Sequence, residues 1–173
     1  GENNAFTTND ITNYYLTLPA VNCETAFWLE SDRMLSLAFS EKSLEVQRNV
    51  VIEEFKQRYY NQPYGDVWLL LRPLAYKVHP YLWNTIGKEI SHIENAKMEE
   101  VKAFFKKFYN PSNAILVIAG NIEFEKAKEL SEKWFAPIAP VQVKPRNLPQ
   151  EPQQTEARKL TVQRDVPLDA IYK

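Results

Sequence analysis

The order of polar and apolar positions near the start of the chain predicts two extended segments. Residues 4–8, NAFTT, form a short β-leaning stretch. Residues 11–19, ITNYYLTLP, are rich in β-branched and aromatic side chains and end at a proline. Thr8, Asn9 and Asp10 lie between them and have the composition of a turn. We therefore expect two strands joined by a tight turn.

Apolar residues then recur at helical spacing in five stretches, and Asn22 and Ser40 can cap the first two of them. The predicted helices run from Asn22 to about Ala38, from Ser40 to about Tyr60, over residues 66–77 with an end or kink at Pro73, from Asn95 to about Phe108, and from Glu123 to about Phe135. Residues 79–96 have no clean period and are expected to form a long ordered loop. Residues 114–120, AILVIAG, are continuously apolar and predict a strand that is buried on both faces.

A change in composition at Pro137 predicts a domain boundary. Residues 137–157 contain closely spaced prolines in a polar setting, which is typical of an extended linker. Residues 158–173 alternate like a strand and are expected to begin a second domain. Residues 1–136 would then form the main domain.

Composition excludes several classes of protein. Of the 173 residues, 45% are hydrophobic and 25% charged, and the net charge is −1, so no basic surface for nucleic acid is expected. No apolar run approaches the roughly 20 residues that a membrane span needs. The single cysteine excludes an internal disulfide and a cysteine-based zinc site. The polar opening GENNAFTTND does not resemble a signal peptide, so we expect a cytoplasmic location, with the periplasm as the alternative.

Two adjacent glutamates lie in the middle of the second predicted helix. With Leu44 at 0° and about 100° per residue, Phe55 falls at roughly 20° and Tyr59 at roughly 60°, so the apolar stripe lies near 0°. Glu53 falls at roughly 180°, opposite the stripe, whereas Glu54 falls at roughly 280°. Glu54 is therefore expected to turn toward the inner flank of the helix, where a carboxylate needs a partner.

Three kinds of partner are open to Glu54 from spacing alone. Arg58 lies four residues further on, at the distance of an intrahelical ion pair. Another donor elsewhere in the chain, or a metal ion, would also serve. Spacing favours the ion pair, at the edge of the core.

Six segments in chain order resemble the pitrilysin/insulinase (M16) family of zinc peptidases, which includes the mitochondrial processing peptidase subunits. They are GENNAFTTNDITNYYLTLP, AFWLESDRM, VQRNVVIEEFKQR, NQPYGDVWLLLRPLAYKVHPY, TIG and NPSNAILVIAGNI. The resemblance covers the chain from Gly1 to about Pro140. It implies an α+β metallohydrolase-type domain, in which a mixed or antiparallel sheet carries helices packed on one face.

The resemblance also implies a zinc site. In the family, an inverted motif His-x-x-Glu-His supplies two ligands and the catalytic carboxylate, and a later glutamate supplies the third ligand. That third ligand maps onto Glu54. The inverted motif is absent here, because the only histidines are His79 and His92, which we interpret as loop caps or surface hydrogen-bonding groups. Gln47 stands where many members have a second glutamate, and as an amide it can act only as a hydrogen-bonding group near the site.

By the same resemblance, Asn4, Ala5 and Phe6 line an edge strand to which a peptide substrate adds as a further strand. An ordinary edge strand is the alternative. Because the chain opens inside a family block, we expect a fragment of a zinc endopeptidase, inactive by itself. A relative that has lost the motif is the alternative to a fragment.

The expected partners are a peptide substrate and a second homologous half or subunit, with a homodimer as one arrangement. Two rival functions are a non-catalytic subunit that binds peptide or pairs with an active half, and a purely structural assembly subunit.

Overall fold

The structure, a computed structural model, describes residues 1–142, 145–165 and 170. These residues form a hairpin followed by helices. The elements are β1 Glu2–Thr7, β2 Thr12–Thr17, α1 Cys23–Leu35, α2 Glu41–Tyr59, α3 Val67–Ala75, α4 Ile90–Glu94, α5 Met98–Phe108 and α6 Phe124–Phe135. The chain divides into two compact units: the first contains Gly1–Leu44 and Ala96–Pro145, and the second contains Glu45–Asn95 and Arg146–Lys173.

The hairpin confirms the two predicted strands and their turn. β1 and β2 pair antiparallel, from Glu2 opposite Thr17 to Thr7 opposite Thr12. At the turn, Thr8 N–H donates to the carbonyl oxygen of Ile11 at 2.8 Å. The chain is thus helix-rich with a small antiparallel sheet, which is consistent with the predicted α+β class.

The first unit has a core where α1 and α6 pack together. Phe27 and Ser31 of α1 and Leu130 of α6 are at most 4% exposed. Asn22 precedes α1 but makes no side-chain capping bond, because its φ of −106° and ψ of 15° lie outside the extended conformation of a capping residue. The predicted capping role of Asn22 is therefore wrong.

The predicted strand at residues 114–120 is also wrong. Residues 114–119 have neither helical nor strand pairing, and the side chains of Ile115 and Val117 are 93% and 80% exposed. A buried strand needs neighbours on both edges, and the described part of the chain supplies none for this run.

Two further boundaries differ from the prediction. The predicted loop 79–96 contains the short helix α4, and Asn95 ends it, with its N–H donating to the carbonyl oxygen of Ser91 at 3.0 Å. Asn95 therefore does not start the next helix, because α5 begins at Met98. In the second unit, α3 contains Pro73 and continues to Ala75, so the proline does not end it.

The predicted linker, in its described residues 137–142 and 145–157, contains neither helix nor strand. The predicted strand at 158–173 is absent from residues 158–165, and its residues 166–169 and 171–173 lie outside the described ones. The division into a main domain, a linker and a second domain stays a prediction. In the part of the chain that the structure describes, no helix is both long and apolar enough to span a bilayer.

Candidate functional site

The helix that carries the paired glutamates begins with two serines that cap each other. Ser43 N–H donates to Ser40 Oγ at 3.1 Å, and Ser40 N–H donates to Ser43 Oγ at 3.1 Å. This pair satisfies two backbone donors at the start of α2, as a capping box does. It confirms the prediction that Ser40 caps the helix.

The apolar stripe of α2 lies where the helical period predicts it. Phe55 is fully buried and Tyr59 is 7% exposed, and their ring centroids are 4.9 Å apart. Leu44 and Val51, on the same side, are partly buried. The register of the helix was therefore predicted correctly.

The predicted inward orientation of Glu54 is wrong for this chain. The side chains of Glu54 and Glu53 are 50% and 62% exposed, so both carboxylates reach solvent. Each forms an ion pair within the helix: Arg58 Nη2 donates to Glu54 Oε1 at 2.9 Å, and Lys56 Nζ donates to Glu53 Oε1 at 2.7 Å. The ion pair of Glu54 with Arg58 is confirmed, but it lies at the surface and not at the edge of the core.

Glu54 belongs to an exposed flank of α2, which we define by Val46, Gln47, Val50 and Glu54. Gln47 lies two turns before Glu54 and is exposed, and the two valines are 52% and 54% exposed. Helical angles place residues on a side of the helix, but burial requires a second element against that side. In the described residues, this flank of α2 is open.

The two histidines make contacts with residues other than Glu54. His79 Nδ1 accepts a hydrogen bond from Tyr81 N–H at 3.2 Å and caps a 3₁₀ turn, as predicted. His92 lies in α4, with Nε2 3.3 Å from the Glu89 carboxylate, so it is a surface group on a helix and not in a loop.

A metal site needs several ligands in one place. Among the residues that the structure describes, no group of three His, Cys, Asp or Glu side chains could hold a metal ion. Glu54 fits one ligand position, because its carboxylate is half exposed and has an exchangeable partner. The chemistry of the described residues does not fit a complete zinc site.

The predicted peptide-binding residues lie together on β1, in the first unit. Asn4, Ala5 and Phe6 are all exposed, and Phe6 is 48% exposed. The hydrogen bond from Thr8 to Ile11 fixes the alternation of the antiparallel ladder, so that Ala5 points its N–H and C=O away from β2. In agreement, Ala5 N–H donates to the side-chain oxygen Asn4 Oδ1 at 2.8 Å. A peptide that pairs with Ala5 must replace that contact.

The sequence did not predict the contact between this hairpin and the end of α5. Tyr14 of β2 meets Tyr109 at the end of α5, 95 residues later in the chain. The aromatic residues of α5 predict a core or interface, but no periodicity within one element can pair two hydroxyl groups from distant elements. Locally, the triplet Asn13-Tyr14-Tyr15 indicates only that adjacent tyrosines of β2 lie on opposite faces of the strand.

Comparison with known proteins places this chain in a family. Over 95% of its length it is 34% identical to the zinc protease PqqE of Helicobacter pylori, and over 78% it is 29% identical to the uncharacterised zinc protease YmxG of Bacillus subtilis. A crystal structure of a protease from Helicobacter pylori superposes with a TM-score of 0.85 at 33% identity and covers 91% of this chain. Residues 95–171 match the family model described as the peptidase M16 inactive domain. The chain belongs to the M16 peptidase family.

The matches of this M16 chain cover only part of its relatives. It spans 37% of PqqE, 32% of YmxG and 38% of the crystallised protease, and so about a third of their length. The similarity to these proteins and to the family model confirms the resemblance to the pitrilysin/insulinase family.

Proposed function

We propose that this chain is part of a zinc-dependent endopeptidase that cleaves peptides or small unfolded proteins, and that Glu54 is its third zinc ligand. The observation that carries the proposal is the similarity to PqqE, which is named a zinc protease, over nearly the whole chain. The half-exposed carboxylate of Glu54 supports it, because a metal ion could reach this side chain without unfolding α2.

Zinc, when bound, would polarise the scissile carbonyl and lower the pKa of a bound water. The described residues contribute one ligand to such a site, so the remaining ligands must come from elsewhere in the assembled protein. For that reason we propose that the chain by itself does not cleave peptides. The contribution of this chain is a carboxylate for the metal and a strand edge for the substrate.

The strand edge is β1. Ala5 presents its backbone N–H and C=O outward, so an extended peptide can add to the hairpin through main-chain hydrogen bonds. Successive residues of a strand point to opposite faces, and Asn4 and Phe6 therefore share the face opposite Ala5, where they would meet alternate side chains of the peptide. Such binding depends little on peptide sequence.

The test compares Glu54→Gln with Glu53→Gln in the full-length protein. We expect Glu54→Gln to lower zinc affinity by at least about tenfold, with a parallel loss of peptidase activity, because an amide is a much poorer zinc ligand than a carboxylate. Glu53→Gln removes the neighbouring charge and should leave both unchanged. Zinc content is measured by atomic emission after dialysis against a weak chelator. Full zinc occupancy in Glu54→Gln would remove the ligand assignment.

A second candidate function is a non-catalytic partner that binds peptide or pairs with an active half. The match of residues 95–171 to a model described as an inactive domain favours it. A full-length protein that binds peptide but neither binds zinc nor cleaves would support this candidate. A second homologous half, in the same chain or in another subunit, is part of both proposals.

A further inference from the structure

Tyr14 is paired across the hairpin with Ala5, the strand residue that is proposed to bind peptide. In the register of the hairpin, Tyr14 of β2 is directly opposite Ala5 of β1. Residues directly opposite each other in an antiparallel pair point their side chains to the same face. The side chain of Tyr14 is therefore on the face of Ala5, whereas Asn4 and Phe6 are on the other face.

Three side chains hold Tyr14 in place in the first unit. The hydroxyl oxygens of Tyr14 and Tyr109 are 2.5 Å apart, and the two rings meet edge to face with centroids at 6.1 Å. The guanidinium carbon of Arg33 lies 4.2 Å from the centroid of the Tyr14 ring. Glu30 accepts hydrogen bonds from Arg33 Nε at 2.9 Å and Nη2 at 3.3 Å, which fixes the guanidinium over the ring. β2 is thus joined to both α1 and α5.

Tyr109 is itself supported from within α5. Its ring stacks on Phe105 with centroids 5.1 Å apart, and Phe105 meets Phe39 edge to face at 5.4 Å. Burial, together with the hydrogen bond to Tyr14, raises the pKa of Tyr109, so its hydroxyl stays protonated at neutral pH. The Tyr109 hydroxyl therefore keeps its proton for the bond to Tyr14 at neutral pH.

We propose that Tyr14 is a positioning residue for the peptide-binding edge of β1 and acts through its hydroxyl bond to Tyr109 and its contact with Arg33. This inference rests on the proposed function. A hairpin held by contacts of Tyr14 presents the N–H and C=O of Ala5 in one orientation, so the hairpin loses less conformational entropy when a peptide binds. The bond should affect peptide affinity and not the chemical step.

The test measures KM and kcat of the full-length protein with a pool of fluorescence-quenched, unstructured peptides. Tyr14→Phe removes the hydroxyl and keeps the ring, and we expect it to raise KM about three- to tenfold with kcat within about twofold. Tyr15→Phe is the matched control, because Tyr15 is next in sequence, is 48% exposed and points to the opposite face. Its KM should change by less than about twofold.

Hydrogen exchange provides a second readout on the same proteins. Backbone amides of β1 and β2 should exchange faster in Tyr14→Phe than in Tyr15→Phe. Tyr109→Phe removes the other hydroxyl of the same bond, and the double variant should be no worse than either single one. This set of variants keeps the test decisive if Tyr14→Phe folds poorly.

The outcomes separate the two proposals. If the unmodified protein cleaves none of the peptides, the proposed function fails. If it cleaves them but Tyr14→Phe and Tyr15→Phe have the same KM and exchange, the positioning role of Tyr14 fails. A fall in kcat with unchanged KM, or additive effects of the Tyr14 and Tyr109 substitutions, would also overturn it.

Discussion

At the residue scale, the availability of Glu54 depends on the strength of its bond to Arg58. The pair is four residues apart on one helix, and the two side chains are 50% and 54% exposed. Exposed pairs of this kind contribute about 0.3–0.5 kcal/mol, because water screens the charges and both side chains lose rotamer freedom. A divalent cation with two further ligands would therefore displace Arg58 easily.

Arg58→Gln tests this competition directly. Removing the guanidinium deletes a positive charge beside the proposed ligand, so zinc should bind the full-length protein about twofold more tightly. The free energy of unfolding should change by no more than about 0.5 kcal/mol. Lys56→Gln is the control, because it removes the equivalent partner of Glu53 and should leave zinc affinity unchanged. Weaker zinc binding in Arg58→Gln would mean that Arg58 supports the site instead of competing for it.

The residues of α2 also show how far the sequence could be interpreted. The helical period predicts the burial of Phe55 and Tyr59, because these side chains fall on one stripe. It does not predict the exposure of Glu54, since the angle of a side chain says nothing about which element covers it. Whether Glu54 binds zinc stays a prediction, because that depends on ligands beyond the described residues.

At the element scale, the apolar run at 114–118 has no neighbouring strand among the described residues and is not itself a strand. Ile115 and Val117 are more exposed than Leu116 and Ile118, which are 47% and 40% exposed. An unpaired apolar segment of this kind leaves backbone groups and apolar side chains without a neighbouring strand to cover them. The sequence predicts a buried strand from hydrophobicity alone, but pairing needs other strands, and hydrophobicity does not say where those strands come from.

Val117→Lys tests whether the run is open in this chain. Because Val117 is 80% exposed, the substitution should change the free energy of unfolding by less than about 0.5 kcal/mol. It should also lower the binding of a dye that fluoresces on apolar surfaces. Leu130→Ala is the contrast, because Leu130 is 1% exposed and its truncation should cost about 2–5 kcal/mol in urea denaturation. A comparable loss in Val117→Lys would show that this side chain is buried.

Helices were predicted better than their ends. Hydrophobic period locates α1, α2, α5 and α6 because each buries one side. Asn95 was assigned to the wrong end of a helix, because asparagine is favoured both before a helix and just after one. The short helix α4 has too few turns to show a period.

At the scale of the whole molecule, the later part of the predicted linker, from Arg146, belongs to the second unit and is bonded within it. Glu151 accepts backbone hydrogen bonds from Lys77, Val78 and His79 at 2.6, 3.0 and 2.9 Å, although His79 lies 72 residues earlier in the chain. Arg158 donates to the last carbonyl groups of α3, at 2.8 and 2.9 Å. Proline content indicates an extended backbone, but it does not predict that such a backbone is free.

The carboxylate of Glu151 should act as a pH-dependent clasp in the second unit. Burial raises the pKa of Glu151, but the three backbone N–H donors together lower it by more. The net pKa therefore lies below its ordinary value of 4.5. A lowered pKa in the folded state means that the clasp is complete at neutral pH and is lost only as the pH falls through that lowered value, below 4.5.

Amide proton chemical shifts of Lys77, Val78 and His79 test this clasp. They should lie downfield at neutral pH and move upfield together in acid, with a midpoint below 4.5, because a protonated carboxyl group is a weaker acceptor. Glu151→Gln should remove this shared titration, and Glu156→Gln, in an exposed part of the same segment, should preserve it. A midpoint above 4.5, or a titration that survives in Glu151→Gln, would mean that the segment is held to α3 by groups other than this carboxylate.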